Sequence, residues 1–153
     1  VYKRQDLDAR GGMQLGACFA GMAIENSMLG AAHALANPLT AHYGIVHGQA
    51  IGLMLPHVIR FNGQEYGHWY EDLVRVTASE SDLSGLEVSP QGLADFVTQL
   101  VAKAGLATRL SELKVDRSRI GQLAADASEQ WTGTFNPRQV SAADLEHIYE
   151  DAA

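Results

Sequence analysis

Apolar residues recur along most of this chain at the three-to-four-residue interval of a helix, and hardly anywhere at the two-residue interval of a strand. The pattern predicts an all-α helical bundle. Asp6 to Leu29 reads as one long helix. Its face of Ala9, Gly12, Gly16, Ala20 and Ala23 is built from small residues. Each glycine costs a helix roughly 1 kcal/mol of propensity, so tolerating several predicts close packing at the centre of a bundle. Ala31 to Ala36 continues as a short helix, with Pro38 as its stop because the residue before a proline is pushed out of the α region. His47 to Phe61 follows, with a kink at Pro56 and a stop at Asn62-Gly63. Glu65 to Ala78 is next, with Tyr66, Trp69, Tyr70, Leu73 and Val76 as its apolar stripe. Ser79 to Val88 reads as a polar loop. Ser89-Pro90 then opens a helix that ends near Gly105. Asp116 caps another through Glu129, and Ser141 with Asp144 forms a capping-box-like pair at the start of the last.

The candidate chemistry lies in the interval of fourteen residues between His33 and His47. His33 sits in an Ala/Leu helical stretch, and His47 precedes Gly48 and starts another apolar run. Two helices joined by a short turn bring both imidazoles to one point, which is half of a metal site. A ligating imidazole must be neutral, and its second ring nitrogen needs a partner to fix the tautomer. At a helix start, the local dipole disfavours the imidazolium of His47. Asn37 lies one turn after His33 and can face the same cleft; it can also cap a turn before Pro38. The other histidines read differently: His42 as solvent-facing or supporting the ligands, His57 as bonded to a backbone carbonyl, and His68 and His147 as surface. Cys18, among Leu15, Ala17 and Phe19, reads as a buried structural thiol.

The run GAAHALANPLTAHYGIVHGQAIGLMLP, Gly30 to Pro56, resembles the metal-binding segment of the iron-containing (group III) alcohol dehydrogenases. Gly30, His33, Pro38, His47, Gly48, Ala50, Leu55 and Pro56 match that pattern. TGTFNPRQVSAADLEHIYEDAA, Thr132 to Ala153, resembles the family's C-terminal T-G-x-x-N-P-R loop and final helix. The resemblance implies the C-terminal domain of a two-domain (α/β plus all-α) dehydrogenase. It implies His33 and His47 as metal ligands, with an Asp and a His on an upstream helix completing the set. Nitrogen and oxygen donors without thiolate suit Fe(II) or Zn(II). NAD(H) or NADP(H) would be held by an N-terminal domain; no G-x-G-x-x-G follows a strand-like run here. Many family members carry a second histidine, a proton relay, where this chain has Asn37, which cannot titrate. Ile24 and Trp131 stand where the family borders its substrate pocket, and a large Trp131 ring narrows it towards a small alcohol or aldehyde.

Composition changes the picture in few places. At 46% hydrophobic and 153 residues the chain can bury a core. A net charge of −7 argues against nucleic acid and anionic membrane as partners. No apolar run is long enough to span a bilayer. One cysteine excludes an internal disulfide and fits a reducing cytoplasm; a homo-oligomer is left open. The first five residues, VYKRQ, are what GTG TAT AAG AGA CAG encodes, the end of a sequencing adaptor. Residues 1–5 are therefore set aside and 6–153 taken as an N-terminally truncated domain, inactive alone. Two alternatives remain. One is another member of the same architecture (a maleylacetate reductase, a polyol dehydrogenase or a dehydroquinate-synthase-like lyase). The other is a non-enzymatic helical binding domain.

Overall fold

The computed structural model describes residues 6–77 and 85–153. Among them are six α-helices and no strand, as the periodicity requires: α1 Leu7–Ser27, α2 Ala31–Tyr43, α3 His47–Thr77, α4 Pro90–Lys103, α5 Ile120–Ser128 and α6 Ala142–Asp151. Short 3₁₀ turns span Leu110–Leu113, Arg117–Arg119 and Trp131–Phe135. Residues 1–5, and residues 79–84 of the expected polar loop, lie outside the described residues.

Helix starts follow their sequence signals. Asp6 accepts from the Ala9 N–H at 3.0 Å. Ser89 accepts from the Gly92 N–H at 2.9 Å, with Pro90 in the first turn. Ser141 and Asp144 form a complete capping box. Asp116 accepts from the Ser118 N–H at 2.9 Å, opening a 3₁₀ turn that runs into α5.

At two places the expected helix end is overrun. Pro38 does not stop α2, which runs through it to Tyr43 and closes at left-handed Gly44, whose N–H bonds the Thr40 carbonyl. The missing donor at Pro38 is outweighed by burial, since Ala34, Leu35, Pro38 and Leu39 all lie inside. Asn62-Gly63 is likewise no stop. Helix α3 continues past it, and the departure from helical dihedrals falls at Tyr66 (φ −115°, ψ 32°) rather than at Pro56. Asn62 is buried and engaged in a polar network, so it cannot act as a solvated terminus.

Gly63 serves the seam between α3 and α4 instead. A Cβ placed there would stand 2.4 Å from the Cβ of Pro90, whereas one at Gly67 would meet Pro90 at an ordinary 3.6 Å. Arg60 clasps the same seam through Asp95 at 2.6 Å. Gly63→Ala is expected to lower unfolding stability by about 1–3 kcal/mol through overpacking, and Gly67→Ala to change it little. Urea denaturation of the pair checks this, and equal effects would remove the seam argument.

The core lies between α2, α3, α5 and α6, around Leu35, Leu39, Leu53, Met54, Leu123, Leu145 and Tyr149. The hydroxyl of Tyr149 donates to the Leu35 carbonyl and pins α6 to α2.

Two expectations fail at the edges of this core. Helix α1 buries none of its residues, so its small-residue face is not packed at the centre of a bundle. Cys18 is exposed on it, as are Met13, Phe19 and Met22. A stripe of small residues makes close approach cheap but supplies no partner, and the described elements put none beside it. In the second half of α3, Trp69, Leu73 and Val76 are exposed, and Val74 is the fully buried residue. The helix turns its Asn62, Tyr70 and Val74 side inward, so the predicted stripe is rotated from the true one.

Candidate metal centre

Helix α2 carries His33 in its first turn, and α3 begins at His47. The turn between them, Gly44 to Val46, sends α3 back along α2. The two imidazoles meet with ring centroids 5.3 Å apart and planes tilted by 49°. Two imidazoles sharing one tetrahedral ion, each centred about 3.2 Å from it and about 109° apart, would have centroids about 5.2 Å apart. The observed spacing therefore fits a shared ion. So does the electrostatics: burial, and then the neighbouring His47, lower the pKa of His33 and keep its lone pair free. A pair of nitrogen donors suits a borderline divalent metal. Among the described residues no third His, Cys, Asp or Glu joins the pair, so the remaining donors are not found there.

Asn37 is half-buried one turn after His33, and its Nδ2 donates to Oε1 of Gln130 at 2.9 Å. Gln130 is held in turn by the Asp126 carbonyl at 3.4 Å. An open cleft of about 370 Å³ lies here, lined by Asn37, Pro38, Ala41, His42, Asp126 and Gln130 among others. With its amide nitrogen committed to Gln130, Asn37 keeps its carbonyl oxygen as an acceptor. Gln130 was not singled out by the sequence, where no spacing connects it to Asn37.

His42 is not merely solvent-facing: its Nε2 lies 2.6 Å from the Asp126 carboxylate, tying α2 to α5. Hydrogen bonds from His42, and then from Gln122, hold the Asp126 carboxyl below the usual carboxylate range. Burial, then the Arg60 charge, push the half-buried His57 imidazole down to about 4, so it stays neutral at neutral pH. Among the described residues, neither Ile24 nor Trp131 is buried. Ile24 is exposed on α1, and Trp131 is exposed with its ring edge-on to Phe135 at 5.8 Å.

The N-P-R stretch proves to be a tether. Asn136 and Asn62 exchange amide hydrogen bonds at 2.7 and 3.2 Å. Arg138 donates to the Phe61 carbonyl and to Gln64, each at 2.7 Å, and lies 3.7 Å over the Phe61 ring. The loop carrying Trp131 is thereby fastened to α3.

Residues 1–153 match the sequence profile described as "Fe-containing alcohol dehydrogenase family, C-terminal". The chain belongs to the iron-containing alcohol dehydrogenase family. Lactaldehyde reductase of Escherichia coli K12 is 33% identical over 147 residues, covering 96% of this chain and 38% of the reductase. An alcohol dehydrogenase from Oenococcus oeni superposes with a TM-score of 0.88 at 25% identity, over 99% of this chain and 39% of that one. Sulfoacetaldehyde reductase from Bifidobacterium kashiwanohense, solved in complex with NAD+, gives 0.66 at 25% identity, over 81% and 31%. The chain thus spans less than two-fifths of the length of these family members, and the fold described above is that of their C-terminal helical domain. Among the described residues no helix is long and apolar enough to cross a membrane.

Proposed function

We propose that this chain acts as the C-terminal metal-binding part of an NAD(P)-linked alcohol dehydrogenase, interconverting a small alcohol and its aldehyde or ketone. The observation that carries the reading is the convergence of His33 and His47 at a separation that fits one ion. Fe(II) or Zn(II) is the metal this donor set suits, with the other two ligands and the nicotinamide cofactor supplied by upstream sequence. When bound, the metal supplies Lewis acidity that lowers the pKa of the substrate hydroxyl and polarises the carbonyl in reverse.

The chain's own residues then have separable tasks. His33 and His47 hold the ion from two helices whose relative position the core fixes. Asn37 offers a hydrogen-bond acceptor beside the reacting oxygen or the cofactor ribose and cannot itself take the proton. Proton transfer accordingly runs through water or a hydroxyl rather than through residue 37. Trp131, on its tethered turn, forms one wall of the substrate cleft, and Ile24 on α1 forms an apolar wall when the rest of the domain covers that helix. Closing the cleft excludes water from the hydride path and aligns the two carbons.

The 153-residue chain alone is expected to show no turnover with NADH and an aldehyde. The same chain joined to a family nucleotide-binding half, and loaded with Fe(II) or Zn(II), is expected to oxidise NADH with small aldehydes. Steady-state absorbance assays check both. Activity of the isolated chain, or a joined and metal-loaded protein inert towards every small aldehyde and ketone, would overturn the reading.

A further inference from the structure

Helix α2 begins without a cap of its own. Gly30 occupies the N-cap position and has no side chain to offer. The first N–H of the helix, at Ala31, is bonded instead by Oδ1 of Asn136 at 3.3 Å, from 105 residues along the chain. That oxygen also accepts from Nδ2 of Asn62 on α3 at 3.2 Å. The Asn136 amide nitrogen donates to Oδ1 of Asn62 at 2.7 Å and to the Arg138 carbonyl at 2.6 Å. All of this happens in the interior, with Asn136 8% and Asn62 3% exposed. Gly30 is also the residue that makes room, because a Cβ there would lie 3.1 Å from the Asn136 oxygen.

We infer that Asn136 is a positioning residue for the metal centre: it is the N-cap of α2, delivered from the C-terminal loop, and it fixes where His33 stands relative to His47. The inference rests on reading those two histidines as a ligand pair. The physical argument is short. A helix whose first N–H groups lose their acceptor frays from that end. His33 lies two residues after Ala31, inside the turn that would fray. Ligand geometry tolerates displacements of only about 0.5 Å, so a frayed first turn separates the rings before it unfolds the domain. The Asn62 contact adds registration, since the cap is itself held by the helix that starts at His47.

The test uses the 153-residue chain and Cu(II)–iminodiacetate, a probe whose two free coordination positions favour a histidine pair over a single histidine. Affinity is read by titration at neutral pH for the parent, His33→Ala, Asn136→Ala, Leu110→Ala and the double variant Gly30→Ser/Asn136→Ala. Leu110→Ala is a core cavity that costs stability without touching the cap. Gly30 has an extended backbone (φ −138°, ψ −157°) that accepts serine. In the double variant, loss of the Asn136 amide clears the only close contact.

His33→Ala is expected to reduce binding to the single-histidine level; if it does not, the ligand-pair reading fails and the inference with it. With that drop in place, Asn136→Ala is expected to weaken the probe about tenfold or more, the scale of losing an outer-shell support. Leu110→Ala should leave affinity unchanged, and the serine cap in the double variant should recover much of the loss. Parent-like binding by Asn136→Ala, or an equal loss in Leu110→Ala, overturns the inference while leaving the ligand pair intact. Should Asn136→Ala fail to fold, the double variant decides: restored folding with restored probe binding supports it, and restored folding without binding overturns it.

Discussion

Replacing His33 with alanine is expected to lower the metal affinity of the joined, metal-loaded dehydrogenase by at least about a hundredfold, above the usual cost of losing an outer-shell partner. The side chain is one of two imidazoles whose ring centroids lie 5.3 Å apart, and no other described His, Cys, Asp or Glu stands ready to replace it. His47→Ala should do the same. The double variant should be little worse than either single one, because residues that act on one ion do not add. Metal content after dialysis against a chelator measures the effect directly. His42→Ala serves as the control, since that ring is already engaged with Asp126; it should retain metal. Full metal content in His33→Ala would leave the convergence of the two rings without a functional meaning.

The second large effect belongs to the core. Tyr149 is fully buried, and its hydroxyl donates to the Leu35 carbonyl on the helix that carries His33. Burial raises its pKa far above the ordinary phenol value, so the hydroxyl stays protonated and remains a donor at any working pH. Tyr149→Ala is expected to destabilise the domain by about 3–5 kcal/mol, the range for large aromatic truncations. Against a total of roughly 5–15 kcal/mol that is a large fraction of the domain's stability. Tyr149→Phe keeps the ring and strands only the carbonyl, for about 1–3 kcal/mol. Urea denaturation of the three proteins separates packing from the hydrogen bond. If phenylalanine proves as damaging as alanine, the bond rather than the ring holds α6 in place.

Much of this architecture was legible in the residues. Asp6, Ser89-Pro90 and Ser141 with Asp144 marked helix starts, because capping is a local transaction between a side chain and N–H groups two or three residues on. The convergence of the His33 and His47 rings was legible because their interval and the flanking glycine and prolines formed a pattern rather than a lone signal. Two helix ends were not. Pro38 and Asn62-Gly63 carry strong local stop signals, yet Leu35, Leu39 and the buried Asn62 keep the helices going through tertiary burial that no local rule records. The partners of Asn37 and Ala31 were beyond reach for a related reason. Gln130 and Asn136 lie 93 and 105 residues away, and nothing in their own neighbourhoods points back. Helix α1 shows the converse error: Ala9, Gly12 and Gly16 declare what packing would be sterically cheap without saying that a neighbour is present, and the apolar neighbours Leu15, Ala17 and Phe19, from which Cys18 was read as buried, are exposed as it is.

The contacts of α2 also set an order of events during synthesis. Its first N–H waits for Asn136 and its Leu35 carbonyl waits for Tyr149, both of which leave the ribosome more than a hundred residues later. The nascent hairpin that bears His33 and His47 therefore emerges with the C-terminal end of α2 closed by Gly44 but its first turns unsecured. On the proposed reading of the two histidines as a ligand pair, metal capture would come only after the final helix has been released.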